Sequence, residues 1–184
     1  MEEATIARDY TWPVKITTFD AGQDQRLTPA GQLRLQQEIG ELHMSTGGLG
    51  YQVLCDAGMA FLLTRTNSVV HRAPALNEEV ALRTWHRGTR GAQFYRCYEF
   101  LDKAGEKLIE SVTAFALVDV RDHRLLRPDA FEPYGLLTQP ERRNDCPDPV
   151  KWKQPDDMKP AGDHVVRWSE VDWNGHLNNT IYAN

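Results

Sequence analysis

The sequence predicts an α+β fold in which an antiparallel sheet of long strands wraps around one amphipathic helix. Two observations carry this. Across residues 59–121 four successive segments repeat apolar positions with a period of two, and ahead of them one stretch has the period, start and stop of a helix. A third observation, the return of the opening pattern after residue 160, predicts that the same unit begins a second time.

The first strand is expected over residues 14–19, where Val14, Ile16 and Thr18 alternate with Lys15, Thr17 and Phe19 up to Asp20. Thr28 followed by Pro29 is an N-cap with proline in the first turn. Leu35, Ile39 and Leu42 then fall on one helical face, which is expected to be buried, until Gly47-Gly48 ends the helix. A shorter helical piece is expected over residues 51–57. The four strands are expected over residues 59–71, 78–88, 92–102 and 107–121, parted by Ala73-Pro74, Gly88-Thr89-Arg90-Gly91 and Ala104-Gly105. In the last strand Leu108, Val112, Ala114, Ala116, Val118 and Val120 share one parity, interrupted by Glu110.

Seven of the ten prolines lie between Pro128 and Pro160, where no periodicity survives, so residues 128–162 are expected to be an extended linker. Residues 165–171 alternate again and run into Asp172, as residues 14–19 run into Asp20, so a strand is expected there. The division is therefore a first unit over 1–127, the linker over 128–162, and an incomplete second copy over 163–184.

Composition narrows the function classes. A net charge of -5 and a pI near 5.7 argue against nucleic-acid binding, which needs a basic surface. No apolar run approaches the length of a membrane helix, mean hydropathy is -0.55, and the acidic start lacks a secretory or transit pattern, so a cytoplasmic protein is expected. Three cysteines, Cys55, Cys97 and Cys146, odd in number and widely spaced, suit free thiols. The six histidines show no metal-ligand spacing, and no glycine-rich phosphate loop occurs, so no metal or other cofactor is expected.

The chemistry-bearing stretch is Asp172-Trp173-Asn174-Gly175-His176-Leu177-Asn178-Asn179. A carboxylate, a carboxamide and an imidazole crowd the expected strand-to-helix junction, where helix-start N–H groups near Gly175 and His176 could receive an oxyanion. Residue types alone leave a second reading open, in which Asn174-Gly175 is a turn, Asp172 or Asn178 a cap, and His176 a satisfied histidine.

This stretch closely resembles the Asp-x-Asn-x-His-x-Asn-Asn signature of plant and bacterial acyl-acyl carrier protein (ACP) thioesterases, which are double hotdogs. The resemblance extends through Leu62-Leu63-Thr64-Arg65, Val69-Val70-His71-Arg72, Pro74, the Trp85 strand and the proline-rich segment. It implies a tandem double hotdog whose second copy hydrolyses acyl-ACP in fatty acid biosynthesis through Asp172, Asn174, His176 and a further acid expected after residue 184. The first copy would then supply much of the acyl pocket, with Trp85 a candidate pocket residue. Asp20-Ala21-Gly22 would stand in place of the motif in the first copy, without the amide and imidazole. The implied partner is an ACP bearing a fatty acyl chain; a homodimer is compatible with the fold. An acyl-coenzyme A hydrolase and a non-catalytic acyl-binding hotdog are the alternatives. Arg83, Arg87, Arg90 and Arg96, and Arg121, Arg124 and Arg127, could either dock an acidic carrier or be solvated strand ends.

Overall fold

A computed structural model describes residues 6–172 and 175–183. Five strands, β1 (Asp9–Lys15), β2 (Met59–Val70), β3 (Glu79–Arg90), β4 (Gln93–Leu101) and β5 (Lys107–Asp119), form one antiparallel sheet in the order β1-β3-β4-β5-β2. The helix α1 (Pro29–Ser45) lies across its concave face, and a short helix α2 (Tyr51–Asp56) leads into β2. This is a hotdog. The first strand starts earlier than expected, at Asp9, and the expected residues 16–19 already turn away toward α1.

α1 starts where the sequence places it. Thr28 is extended and its hydroxyl accepts from the Gly31 N–H at 3.0 Å, with Pro29 next. A Cβ on Gly31 would come within 2.5 Å of the Asp20 carbonyl, so only glycine lets the loop before the helix pack on its first turn. Leu35 and Ile39 are buried as expected, against Leu82, Phe100 and Ile109, each such side chain contributing about 1.5–3 kcal/mol. Leu42 is only half-buried. The face that enters the sheet instead carries Gln32, Gln36 and His43. Gln32 donates to Ser68 Oγ at 2.8 Å and Ser111 Oγ at 3.1 Å, and Gln36 to Ser111 Oγ at 2.8 Å, so their burial leaves these amide donors partnered.

A second polar cluster lies further along the same face. Arg96 is buried, and its guanidinium donates to His43 Nδ1 (3.0 Å), Thr84 Oγ1 (3.2 Å) and His86 Nε2 (2.6 Å). Among the described residues no carboxylate stands within ion-pair distance of it. Arginine has only donors, so each imidazole nitrogen facing it accepts. His43 Nε2–H completes the chain by donating to the Ala7 carbonyl at 2.7 Å.

The outer face of the sheet is covered as well. Residues 139–148 cross it as a strap over Trp85, Cys97, Val112 and Ala114, with Cys146 packed among them. Gln139 donates from its backbone to the His86 carbonyl and from its amide to the Arg8 carbonyl, both at 2.8 Å. Asn144 donates to the carbonyls of Tyr98 and Ser111, and Asp148 pairs with Arg87 at 2.6 Å. Glu110, the residue that broke the apolar parity of β5, is fully buried and accepts from the Asp145 N–H, Lys107 Nζ and His71 Nε2. Burial alone would raise its pKa, and these donors outweigh that and lower it. The segment expected as an extended linker thus contains an ordered strap. Ahead of it, Pro128–Tyr134 forms a 3-10 helix that buries Phe131 edge-on to Phe61 and Phe94.

The Arg96 cluster makes stability pH-dependent. Burial, reinforced by the Arg96 charge, pushes His43 down from 6.5 to about 4 and His86 well below 6.5. An unfolded chain takes up protons on both imidazoles below about pH 6.5 while the folded one does not, so stability is full above that pH and falls as the pH drops toward about 4. The expected slope is up to about 1.4 kcal/mol per pH unit for each histidine. Urea unfolding between pH 7.5 and 5 should show it, and His43→Gln should remove close to one proton of that dependence; an unchanged slope would place the dependence elsewhere.

Candidate functional site

The described residues of the chemistry-bearing stretch, with those leading into it, are held by local hydrogen bonds. Trp168–Glu170 makes one 3-10 turn in which the Glu170 carboxylate reaches back to accept from the Arg167 N–H (2.8 Å) and His164 Nε2 (2.9 Å). These donors hold Glu170 below the usual carboxylate range, the Arg167 N–H first and His164 next. The expected strand over residues 165–171 is absent. Its alternation is real, but no strand among the described residues pairs with it, and the Glu170 side chain satisfies its backbone locally instead.

After it the chain doubles back. The Val171 and Leu177 backbones bridge, the Asp172 N–H donates to the His176 carbonyl (2.8 Å), and the Glu170 carbonyl accepts from the Asn178 N–H (2.9 Å). Gly175 sits at φ 77°, which glycine adopts without strain. Asn178 Oδ1 then caps the 3-10 helix Asn179–Ala183, accepting from the Thr180 N–H and hydroxyl. That helix packs on α1 and buries Thr180.

Of the predicted catalytic residues, Asp172 and His176 are brought together through the backbone: Asp172 Oδ1 accepts from the His176 N–H at 3.2 Å. Asn174 lies outside the described residues. The expected oxyanion donors are not available, because the Gly175 N–H donates to the Asp172 carbonyl (3.0 Å) and the His176 N–H to its carboxylate. Helical structure begins at Asn179, so Gly175 and His176 precede the unpartnered N–H groups of a helix start.

The same turn is built once before in the chain. Asp20 Oδ2 accepts from the Thr17 N–H (3.0 Å), the Gly22 N–H donates to the Arg26 carbonyl, the Gln25 N–H to the Gly22 carbonyl, the Thr28 N–H to the Asp20 carbonyl, and Ala21 bridges Leu27. Gln25 has φ 58°, as Gly175 has φ 77°. Bond for bond, Thr17 answers to Arg167, Asp20 to Glu170, Gly22 to Asp172, Arg26 to His176, and Thr28 to Asn178. The expected match of Asp20 to Asp172 is therefore displaced by two residues: Asp20 corresponds to Glu170. At the positions of the carboxylate and imidazole the first copy has Gly22 and Arg26, the latter donating to the Ala73 carbonyl.

An open groove of about 500 Å³ runs between α1, β2 and the last helix, lined by Leu33, Leu63, Thr66, Asn179, Tyr182 and Ala183. The sequence pointed to none of these as pocket residues; Leu33 was out of phase with the Leu35, Ile39, Leu42 stripe, which was the one available signal. Tyr51, on α2, was also missed. Its phenol is pushed up to about 12 by burial, by a hydrogen bond with Cys55, and by the nearby charges of Cys55 and Asp172. Trp85, expected as a pocket candidate, lies on the outer face: it is fully buried under the strap, its Nε1 donates to the Arg142 carbonyl, and the Arg142 guanidinium covers its ring at 4.1 Å.

Most of the candidate arginines are buried or paired, whereas Arg127 is exposed. Arg96 is buried on the α1 side, Arg83 pairs with Glu99, and Arg87 and Arg90 share Asp148. Arg121 and Arg124 pair with Asp119 and Asp122. Among the described residues no group of His, Cys, Asp or Glu is arranged to hold a metal ion, and no helix is long and apolar enough to cross a membrane.

The family model for the acyl-ACP thioesterase N-terminal domain matches residues 7–133. The chain belongs to the acyl-ACP thioesterase family. Solved structures reproduce the fold of this acyl-ACP thioesterase family member well beyond that match. An acyl-ACP thioesterase from Bacteroides thetaiotaomicron is 19% identical with a TM-score of 0.74, over 95% of this chain and 70% of its own. The 12:0-ACP thioesterase from Umbellularia californica is 19% identical with a TM-score of 0.73, over 96% of this chain and 72% of its own. A DHNA-CoA thioesterase from Staphylococcus aureus, 14% identical with a TM-score of 0.62, covers only 68% of this chain and 84% of its own. No curated protein sequence matches the chain.

The position of Trp85 yields a test. Trp85→Ala should lower stability by about 3–5 kcal/mol, the usual cost of deleting a buried indole, and leave the distribution of acyl-chain products unchanged. Thermal unfolding and product analysis on the same preparation check it; a shifted product profile would return Trp85 to the pocket.

Proposed function

We propose that this protein hydrolyses the thioester of a fatty acyl chain carried on ACP, releasing the free fatty acid in fatty acid biosynthesis. The observation that carries this reading is the seating on α1 of the helix Asn179–Ala183, into which the turn from Asp172 leads, beside a groove lined by Leu33, Leu63, Asn179 and Tyr182. An acyl chain would lie along the groove, with its thioester carbonyl toward the turn. Residues 1–127 would be the acyl-binding half, residues 128–162 the connection, and residues 163–184 the opening of the catalytic half.

In the reaction a water oxygen adds to the thioester carbonyl carbon, the C–S bond breaks, and the departing thiolate takes a proton. His176 and Asn174 polarise and orient the reactants. Asp172 holds His176 through the backbone bond from the His176 N–H, and the acid that family resemblance implies after residue 184 activates the water. The oxyanion is received by the donors among these side chains, the Asn174 amide and the His176 ring N–H, since the Gly175 and His176 backbone N–H groups are engaged within the turn. The match of residues 7–133 to the acyl-ACP thioesterase family model supports ACP over coenzyme A as the carrier.

Two measurements test the reading in the longest chain its gene encodes. Asn174→Ala and His176→Ala should keep the parental melting temperature and hydrolyse acyl-ACP about 100- to 1000-fold more slowly, whereas losing only a cap would cost about 1 kcal/mol of stability and leave turnover intact. Leu33→Trp should shorten the preferred acyl chain by narrowing the groove; an unaltered preference would remove the groove from acyl binding.

A further inference from the structure

We infer that the Glu170 carboxylate is a positioning residue that fixes the Asp172-to-His176 turn by closing the backbone that enters it. The inference rests on the reading of that turn as the reacting site. Glu170 acts at both ends of the loop. Its side chain accepts from the Arg167 N–H at 2.8 Å, its own N–H donates to the Arg167 carbonyl at 3.0 Å, and its carbonyl accepts from the Asn178 N–H at 2.9 Å. Asn178 is the cap of the helix that packs on α1, so Glu170 links the incoming strand-like segment to the one part of the loop that is seated on the fold. Asp172 and His176 lie inside the span it closes.

The repeated turn provides independent support. In the first copy the side chains that would do chemistry are replaced, Asp172 by Gly22 and His176 by Arg26, yet a carboxylate remains at the Glu170 position. Asp20 accepts from the Thr17 N–H and hydroxyl, and its carbonyl accepts from the Thr28 N–H, the cap of α1. A carboxylate that persists where the catalytic groups do not is serving the geometry of the turn. Each carboxylate also meets a basic side chain, Glu170 the His164 imidazole and Asp20 the Arg34 guanidinium at 3.1 Å, but those partners come from positions that do not correspond in the two copies. The backbone bond is the shared element, so it, and not the contact to His164, is what positions the loop.

Substitutions in the longest chain the gene encodes separate these contributions. Glu170→Ala should lower kcat for acyl-ACP on the order of 10- to 100-fold with KM nearly unchanged, the cost of misplacing a reacting group by about 1 Å. Glu170→Asp, which copies the first turn, should restore kcat to within about threefold, and His164→Ala should leave it within about twofold. The ring-proton resonance of His176 gives a readout apart from activity: it should broaden or move toward the position of an unstructured histidine in Glu170→Ala and return in Glu170→Asp. Parental kcat and an unmoved resonance in Glu170→Ala would overturn the inference, as would an equal loss in Glu170→Asp. If His176→Ala retained full turnover, the reading of the site would fall, while the His176 resonance would still decide whether Glu170 fixes the loop.

Discussion

The seating of α1 in the concave face of the sheet is the constraint on which the other features depend. It is not a purely apolar seam. Ile39 and Leu35 supply the dry contact with Leu82 and Phe100, while Gln32, Gln36 and His43 enter the same face and find Ser68, Ser111 and Arg96. A polar interior of this kind holds only one alignment well, because a shift of the helix would strand several buried donors together. Both turns with a closing carboxylate are anchored to this helix, one at its first turn and one through the helix Asn179–Ala183 packed on it. The groove takes its wall from it too.

Much of the fold was legible in the sequence because it follows from local rules. The Thr28-Pro29 start of α1, the four long strands and the turns between them are set by capping, period and glycine. Long-range pairing was not legible. The buried face of α1 was read as Leu35, Ile39, Leu42, since nothing local reveals that Gln32, Gln36 and His43 meet partners on β2, β4 and β5. The alternation at residues 165–171 looked like a strand because period reports on side chains and says nothing about whether another strand is there to bond. Trp85 was assigned to a strand correctly, but which face it occupies was left open, because the strap that covers the outer face comes from far along the chain.

The site divides in the same way. The motif residues were visible as residue types, and Asp172 and His176 do meet, but by a backbone hydrogen bond that no spacing rule specifies. The oxyanion donors were inferred from an expected helix start at Gly175 that lies at Asn179 instead. Comparing the copies by identity paired Asp20 with Asp172, whereas their hydrogen bonds pair Asp20 with Glu170. Of two carboxylates two residues apart, identity selects Asp172 and the bonds they make select Glu170.

The strap over residues 139–148 changes what counts as the unit. The sheet's outer core includes Cys146, its buried Glu110 is satisfied in part by the Asp145 N–H, and Trp85 and Arg87 are closed by Arg142 and Asp148. Residues 139–148, inside the stretch that reads as a tether in sequence, therefore pack as part of the hotdog that precedes them. Chimeras that exchange this hotdog with one from a relative must carry the strap across with it. A junction placed at the end of β5 would join two foreign surfaces, leaving a buried carboxylate and a large indole to be met by residues that did not coevolve with them.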